Sequence, residues 1–250
     1  MEPQGSPARR PLIKRLLHVA YVFLAMSGWR LDHLNVAWIV GGVLSLATGQ
    51  LLISLNNPRY TLVFFVVSLL FYYAGNTFIL LSRLPARMIA RWGEERAYRI
   101  YETILALMFI NQGLGVGCVG SLTLGESWLL PGPPALVYSV AAVLCAIGIV
   151  VKIWATVVVG IDVYYYRDMF LGRATTTFSV SGPYRVLSNP MYGVGQLHAY
   201  GVAVLMSRSW NGLMAAAICH ALIYVFYFTA EWPFIQRVYL SGAKGGLSEA

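Results

Sequence analysis

Residues 135–160 read ALVYSVAAVLCAIGIVVKIWATVVVG and carry a single charged side chain, Lys152. About 20 apolar residues, rising 1.5 Å each, are enough to cross a hydrocarbon core of about 30 Å as a helix. The whole chain has the same character: it is 58% hydrophobic and only 11% charged, whereas soluble proteins are about 25% charged. Its segments are apolar on all faces and do not alternate as the strands of membrane barrels do. The sequence therefore predicts an all-α polytopic membrane helix bundle.

Six stretches of the chain are candidate membrane spans. In order they are Leu34–Leu55, Thr61–Ser82, Tyr101–Thr123, Ala135–Gly160, Pro190–Ser207 and Trp210–Ala230. Only Arg208 and Ser209 separate the last two, which predicts a tight antiparallel hairpin. The run Leu16–Trp29 is too short to span, so we predict an interfacial or re-entrant helix there. The chain thus divides into a basic tail with an interfacial helix, residues 1–33, and a single transmembrane domain, residues 34–250.

The basic residues are distributed unevenly about these spans, and the formal net charge is +8. Fifteen lysines and arginines fall on one side of the membrane, Arg59 and Arg208 fall on the other, and Lys152 lies inside the fourth span. The positive-inside rule makes the richer side cytosolic, together with both termini. Because the arginines lie at the ends of apolar segments, the basic charge does not indicate a nucleic-acid partner.

The cysteines do not indicate a metal centre. Cys118, Cys145 and Cys219 all lie within apolar segments and show no CxxC spacing. We therefore predict neither a metal site nor a disulfide framework.

A binding site is predicted where the outer ends of the hairpin meet. Asn189-Pro190-Met191-Tyr192 and Glu231-Trp232 lie on the same side of the membrane and must be close in space. They supply a carboxylate, an amide and a phenol, with Arg185 and Arg237 nearby, a set that suits a ligand of mixed charge. Glu231 is the best-placed ionisable residue at the membrane edge, where such residues are functional candidates. The alternative is that Glu231 only caps the last helix.

The sequence around this site resembles a known family. Residues 181–193 read SGPYRVLSNPMYG, and they are followed by Glu231-Trp232-Pro233-Phe234 and by Arg237-Val238-Tyr239. This pattern is similar to that of the integral-membrane phospholipid methyltransferases, whose Asn-Pro-Met-Tyr stretch opens a hairpin and whose Glu-Glu-Pro-Phe stretch closes it. The isoprenylcysteine carboxyl methyltransferases of the same superfamily have a histidine where this chain has Asn189. The resemblance covers roughly residues 140–242.

The resemblance implies S-adenosylmethionine as the cofactor. The family's Gly-x-Gly corresponds here to Ala146-Ile147-Gly148 and its acidic pair to Glu231-Trp232, so one glycine and one acid are replaced. The cofactor-binding residues that the resemblance implies are Ala146, Gly148, Tyr184, Arg185, Asn189, Pro190, Met191, Tyr192, Glu231 and Trp232.

The implied chemistry requires a base, because an ammonium must lose a proton before its nitrogen can attack a methyl group. The candidate catalytic residues are Glu231, His198 and Asp168, and the candidate substrate-binding residues are Tyr165, Arg237 and Lys152. Alternatives stay open: His198 as a packed core histidine, Arg237 as a solvated charge, and Lys152 as a side chain that extends to the interface.

The expected function is N-methylation of phosphatidylethanolamine or its mono- and dimethylated forms. The partners would be the bilayer and a phospholipid that enters from its cytosolic leaflet, and the resemblance implies the endoplasmic reticulum. The alternatives are an isoprenylcysteine carboxyl methyltransferase-like enzyme and a catalytically silent membrane scaffold. The sequence does not decide whether the protein forms a homo-oligomer.

Overall fold

The computed structural model describes residues 12–176 and 181–240. Every element of regular structure longer than an isolated bridge within these ranges is helical, which confirms the predicted all-α bundle. Five helices are long and apolar enough to cross a membrane: Val36–Leu55, Pro58–Leu81, Glu94–Ser121, Pro134–Val159 and Trp210–Leu240. The basic tail before Leu12 and the end of the predicted domain after Leu240 lie outside the described residues.

The α-helices are numbered in chain order. They are α1 (Leu12–Met26), α2 (Val36–Leu55), α3 (Pro58–Leu69), α4 (Asn76–Leu81), α5 (Leu84–Trp92), α6 (Glu94–Ser121), α7 (Pro134–Val159), α8 (Ile161–Tyr164), α9 (Arg167–Leu171), α10 (Leu197–Ser207), α11 (Trp210–Phe226) and α12 (Trp232–Ile235). Wider π-helical turns join α3 to α4 (Leu70–Gly75) and α11 to α12 (Tyr227–Glu231).

The turn between α2 and α3 shows how the sequence sets the helix ends. Asn56 adopts a left-handed conformation, with φ 44°, and ends α2. Asn57 then caps α3, because its side-chain oxygen accepts from the backbone N–H of Arg59 at 3.0 Å and of Tyr60 at 3.3 Å. Pro58 occupies the first turn of α3, where the lack of an N–H costs nothing.

Helix α6 is the centre of the bundle and packs against α2, α3, α10 and α11. Its glycines allow this close packing: a Cβ at Gly115 would lie 3.2 Å from Phe65, and one at Gly120 would lie 3.4 Å from the backbone oxygen of Ala203. Helices α7 and α10 approach even more closely. A Cβ at Gly148 would lie 2.1 Å from the backbone nitrogen of His198, so only glycine fits at this helix crossing.

The fifth predicted span differs from the observed structure. Helix α10 has 11 residues, about 16 Å at 1.5 Å per residue, which is too short to cross a hydrocarbon core. The segment before it is a compact turn, in which the Asn189 side chain accepts from the N–H of Tyr192 and the N–H of Gly195 donates to the carbonyl of Pro190. Because those backbone groups bond locally, Pro190–Ser207 is not one helix, and the count of six spans is not confirmed.

The N-terminal helix α1 packs against α7 and α8. Two phenols from the end of α8 hold the end of α1: Tyr165 donates to the carbonyl of Ala25 at 2.7 Å, and Tyr164 donates to that of Met26 at 3.2 Å. The indole N–H of Trp38 donates to the carbonyl of Gly28 at 2.8 Å. The connection from α1 to α2 is therefore part of the folded bundle.

Candidate functional site

The carboxylate of Glu231 lies at the end of the π-helical turn that follows α11. Its Oε2 accepts a hydrogen bond from the hydroxyl of Tyr192 at 2.7 Å. The predicted proximity of the Asn189–Tyr192 segment and Glu231 is thus present in the structure. The carboxylate does not simply cap a helix end, because its partner is a phenol from another part of the chain.

Phenol groups extend from Glu231 across the interior. The hydroxyl of Tyr192 lies 3.1 Å from that of Tyr166, which lies 3.4 Å from that of Tyr72. Tyr72 comes from the π-helical turn between α3 and α4, and Glu231 from the turn after α11. Such turns are rare in proteins overall. Where they do occur, they are often found at functional sites, because the extra residue redirects side chains. Here both turns direct polar groups into one region.

Two cavities meet at Glu231. The larger, about 360 Å³, lies inside the bundle, and its wall includes Glu231, Lys152, His198 and residues from α1, α2 and α6. The smaller, about 90 Å³, is lined entirely by residues between Val159 and Tyr239. Glu231, Tyr166, Met191 and Val163 belong to both linings. A carboxylate on a shared wall can contact a ligand in either cavity.

The larger cavity has aromatic walls and an imidazole. Tyr72, Tyr73, Phe109, Tyr164, Tyr166 and Tyr192 all line it. Nδ1 of His198 lies 2.7 Å from the carbonyl oxygen of Gly195. A carbonyl only accepts, so Nδ1 carries the hydrogen and Nε2 of the neutral ring keeps the lone pair that can accept a proton. His198 therefore qualifies as a base by geometry.

The smaller cavity contains a phenol that lacks a partner. The hydroxyl of Tyr184 is buried and makes no hydrogen bond within the described part of the chain. Burial, reinforced by the nearby carboxylate of Glu231, raises the pKa of Tyr184 above its ordinary value. The phenol stays protonated, so the cavity offers a donor to a bound group. A buried polar atom without a partner costs about 1–3 kcal/mol, which a ligand could relieve.

Asp168, also on the wall of the smaller cavity, binds the segment that follows α9. It is 4% exposed and accepts from the N–H of Thr175 at 3.0 Å and from the hydroxyl of Thr176 at 3.1 Å. The hydroxyl of Tyr239 donates to it as well. These donors occupy its lone pairs, so the structure favours a structural role over the predicted role as a base.

The remaining predicted residues line neither cavity. Ala146 is exposed on α7 and Gly148 faces α10, so neither lines a cavity. Asn189 and Pro190 build the turn before α10, and Trp232 packs against Tyr227 with ring centroids 6.0 Å apart. Arg185 and Arg237 are exposed. Tyr165 is fully buried against α1, so it is no part of the cavity walls.

A buried charge network was not predicted from the sequence. Arg30, 5% exposed, forms ion pairs with the fully buried Glu102 of α6 and, at 2.7 Å, with Asp162 of α8. Nδ1 of His33 lies 2.6 Å from the other oxygen of Glu102. Burial alone would lower the pKa of Arg30, but the two carboxylates hold it above its ordinary value. The sequence did contain a signal for this network, because Glu102 is an acidic residue within an apolar span, where ionisable residues usually have a partner.

This network shapes the site indirectly. Arg30 and His33 belong to the connection between α1 and α2, whose Ser27 and Trp29 line the larger cavity together with Met26 at the end of α1. The fold and the site together define an all-α integral membrane protein. The carboxylate of Glu231 lies between two cavities: an aromatic one inside the bundle, and a smaller one lined by residues between Val159 and Tyr239.

Comparison with known proteins finds a family model that matches part of the chain. Residues 136–242 match the phospholipid methyltransferase family model, in agreement with the resemblance seen in the sequence. The match includes the whole lining of the smaller cavity and only part of that of the larger one.

Curated relatives carry names that agree with this family model. The chain is 30% identical over 141 residues to the phosphatidylethanolamine N-methyltransferase of Talaromyces marneffei and 31% identical over 142 residues to that of Penicillium rubens. The alignments cover 56% of this chain and 14% of each relative, so the chain spans only a small part of the length of those proteins. No solved structure matches the chain.

Proposed function

We propose that the protein is an S-adenosylmethionine-dependent N-methyltransferase that acts on phospholipids with an ethanolamine headgroup. The observation that carries this proposal is the position of Glu231 on the wall shared by the two cavities. The relatives bear the name phosphatidylethanolamine N-methyltransferase, and the family match supports the same chemistry.

We assign part of the cofactor, its charged end, to the smaller cavity, because the lining of this cavity lies within the family segment; at about 90 Å³ the cavity is too small for the whole molecule. The unpartnered hydroxyl of Tyr184 and the carboxylate of Glu231 fit a ligand that has both hydrogen-bonding and cationic groups. S-adenosylmethionine, when bound, supplies a methyl group on a positively charged sulfur. The contribution of the chain is to bring the donor methyl group and the acceptor nitrogen together where the two cavities meet at Glu231, and to exclude water from between them.

The larger cavity suits the acceptor. Its tyrosine and phenylalanine walls attract an ammonium group through their ring faces. The ammonium must lose a proton before its nitrogen lone pair can accept a methyl group. Glu231 and Nε2 of His198 are the cavity groups that can take this proton.

The proposal includes the setting of the reaction. The lipid enters from the leaflet at the arginine-rich end of the bundle, which we take to be the cytosolic side because of the positive-inside rule. The proposed location is the endoplasmic reticulum, on the basis of the family resemblance.

Methyl transfer in isolated membranes tests the proposal. Membranes with the wild type, Glu231→Gln or the matched control Glu126→Gln receive radiolabelled S-adenosylmethionine, and the lipids are separated by headgroup. Glu126 is exposed and lines neither cavity, so its variant should behave as the wild type. We expect label in methylated ethanolamine lipids and a loss of about ten- to a hundredfold in Glu231→Gln, as expected for a charged hydrogen bond.

Two results would contradict the proposal. Label found only in a base-labile ester of an added prenylcysteine would assign the protein to carboxyl methylation. No label in either acceptor, from folded protein, would indicate a silent scaffold.

A further inference from the structure

Lys152 is a cation on the wall of the larger cavity, within the membrane-spanning helix α7. It lies seven residues before Val159, where α7 ends, about 10 Å along the helix. None of the acids in the described part of the chain lies within ion-pair distance of its ammonium, whose nearest aromatic neighbour is Tyr164, with the ring centroid 6.0 Å away. An unpaired charge within a membrane is costly and marks a ligand site.

The cavity containing Lys152 reaches the lipid-facing surface of the bundle. Leu46 of α2 and Val202 of α10 belong to its lining and are 46% and 40% exposed on the outside. Gly113 of α6 is also in the lining and exposed, and a Cβ there would meet no atom within 4 Å. The cavity is therefore open sideways, between α2 and α6 on one side and α7 and α10 on the other, and acyl chains can remain in the bilayer.

The two opposite charges in this cavity define the ligand. Glu231 and Lys152 both line it but are not within ion-pair distance of each other. A carboxylate and an ammonium held apart in one cavity complement a zwitterion with the reverse charges. A glycerophospholipid with an amine headgroup is such a zwitterion, with a phosphodiester two carbons from the nitrogen.

We propose that Lys152 binds the phosphodiester of the lipid substrate, which directs the headgroup nitrogen toward Glu231. This inference rests on the proposed function and specifies which part of the substrate the lysine recognises. Lys152 thereby distinguishes phospholipids from amphiphilic amines without phosphate. It is a substrate-positioning residue and takes no part in the transfer of the proton.

Lipid binding by purified protein in detergent tests this role without catalysis. The probes are a fluorescent short-chain phosphatidylethanolamine and a matched amine lipid whose phosphodiester is replaced by an ether. The variants are Lys152→Met, which keeps the length of the side chain, Lys152→Arg, which keeps the charge, and Arg59→Met as a control at the start of α3. S-adenosylmethionine binding is measured by calorimetry in parallel.

We expect Lys152→Met to weaken binding of the phospholipid about ten- to a hundredfold, as for loss of a charged hydrogen bond. Lys152→Arg should restore most of the affinity, whereas Arg59→Met should not change it. The phosphate-free lipid should bind the wild type and Lys152→Met equally. Removal of a charge from within the membrane does not threaten folding, and gel filtration checks this.

The proposal is overturned if Lys152→Met binds the phospholipid as the wild type does. It is also overturned if that variant loses S-adenosylmethionine binding with lipid binding intact, since Lys152 would then hold the carboxylate of the cofactor. These binding results stand apart from catalysis. A wild type that binds the phospholipid through Lys152 but transfers no methyl group would refute the proposed function alone.

Discussion

The hydroxyl of Tyr192 donates to Oε2 of Glu231 over 2.7 Å, although 39 residues separate the two in the chain. Both the N–H and the carbonyl of the Tyr192 backbone make hydrogen bonds. Its N–H donates to the side chain of Asn189 at 3.1 Å, and its carbonyl accepts from Nε2 of His220 at 2.7 Å. The turn before α10 and the helix α11 thus jointly fix the phenol that orients the carboxylate.

Removal of this phenol should loosen the carboxylate without removing it. In Tyr192→Phe the ring still packs, but Glu231 loses a donor, so we expect methyl transfer and S-adenosylmethionine affinity to fall by about tenfold. Calorimetry and the radiolabel assay measure both. Tyr60→Phe, at an exposed position of α3, is the control. Unchanged affinity in Tyr192→Phe would show that the hydrogen bond does not position Glu231.

The unpartnered hydroxyl of Tyr184 predicts effects of opposite sign on stability and binding. Tyr184→Phe removes a buried polar atom without a partner, so the ligand-free protein should gain about 1 kcal/mol of unfolding free energy. The same variant should bind S-adenosylmethionine more weakly if this hydroxyl is a donor to the cofactor. Thermal unfolding and calorimetry separate the two effects. A gain in stability with intact cofactor binding would remove Tyr184 from the site.

Asp168 should behave as a structural acceptor. In Asp168→Asn one oxygen becomes a donor and opposes the N–H and hydroxyl groups of Thr175 and Thr176, so we expect a loss of about 1–3 kcal/mol of stability. The pH dependence of the residual methyl transfer should keep its shape. A shifted pH profile would instead identify Asp168 as the base. Glu94→Gln, which breaks an exposed ion pair with Arg173, should cost at most about 1 kcal/mol.

The Arg30–Glu102 pair should be strongly coupled. Arg30→Met leaves the buried Glu102 with only His33 as a partner, and Glu102→Gln leaves Arg30 without its buried carboxylate, so each should cost up to about 3–5 kcal/mol. The double variant should lose less than the sum of the single losses, because neither charge then remains unpaired. Denaturant unfolding in detergent measures these energies, with the exposed Arg99→Gln as the control. Additive losses would mean that the two groups act independently.

The crossing of α7 and α10 should not tolerate a methyl group. A Cβ in Gly148→Ala would overlap the backbone of His198, so we expect a loss of about 1–3 kcal/mol or more and a displaced His198. Gly113→Ala, where a Cβ meets no atom within 4 Å, should leave stability unchanged. A stable Gly148→Ala with weakened cofactor binding would support the alternative, in which Gly148 contacts S-adenosylmethionine.

The sequence by itself determined the class of fold and indicated that the Asn189–Tyr192 segment and Glu231 meet. Long apolar runs can satisfy their backbone groups in lipid only as helices, so spans such as Pro134–Val159 are evident without coordinates. The turn residues Asn56-Asn57-Pro58 act locally, so the boundary between α2 and α3 could also be predicted from the sequence. The motif around Asn189–Tyr192 and Glu231 indicated the resemblance because most of its residue types and their order are retained.

Only the tertiary structure decided which of these residues share a cavity. Apolar periodicity does not report that α10 is short, because the turn at Asn189–Gly195 depends on side-chain and backbone bonds that compete with a helix. The network of Arg30, Glu102 and Asp162 joins residues from three distant parts of the chain. The role of Gly148 in packing, of Asp168 in the loop and of Lys152 in the larger cavity follows from contacts between elements, and such contacts arise only when the helices have packed.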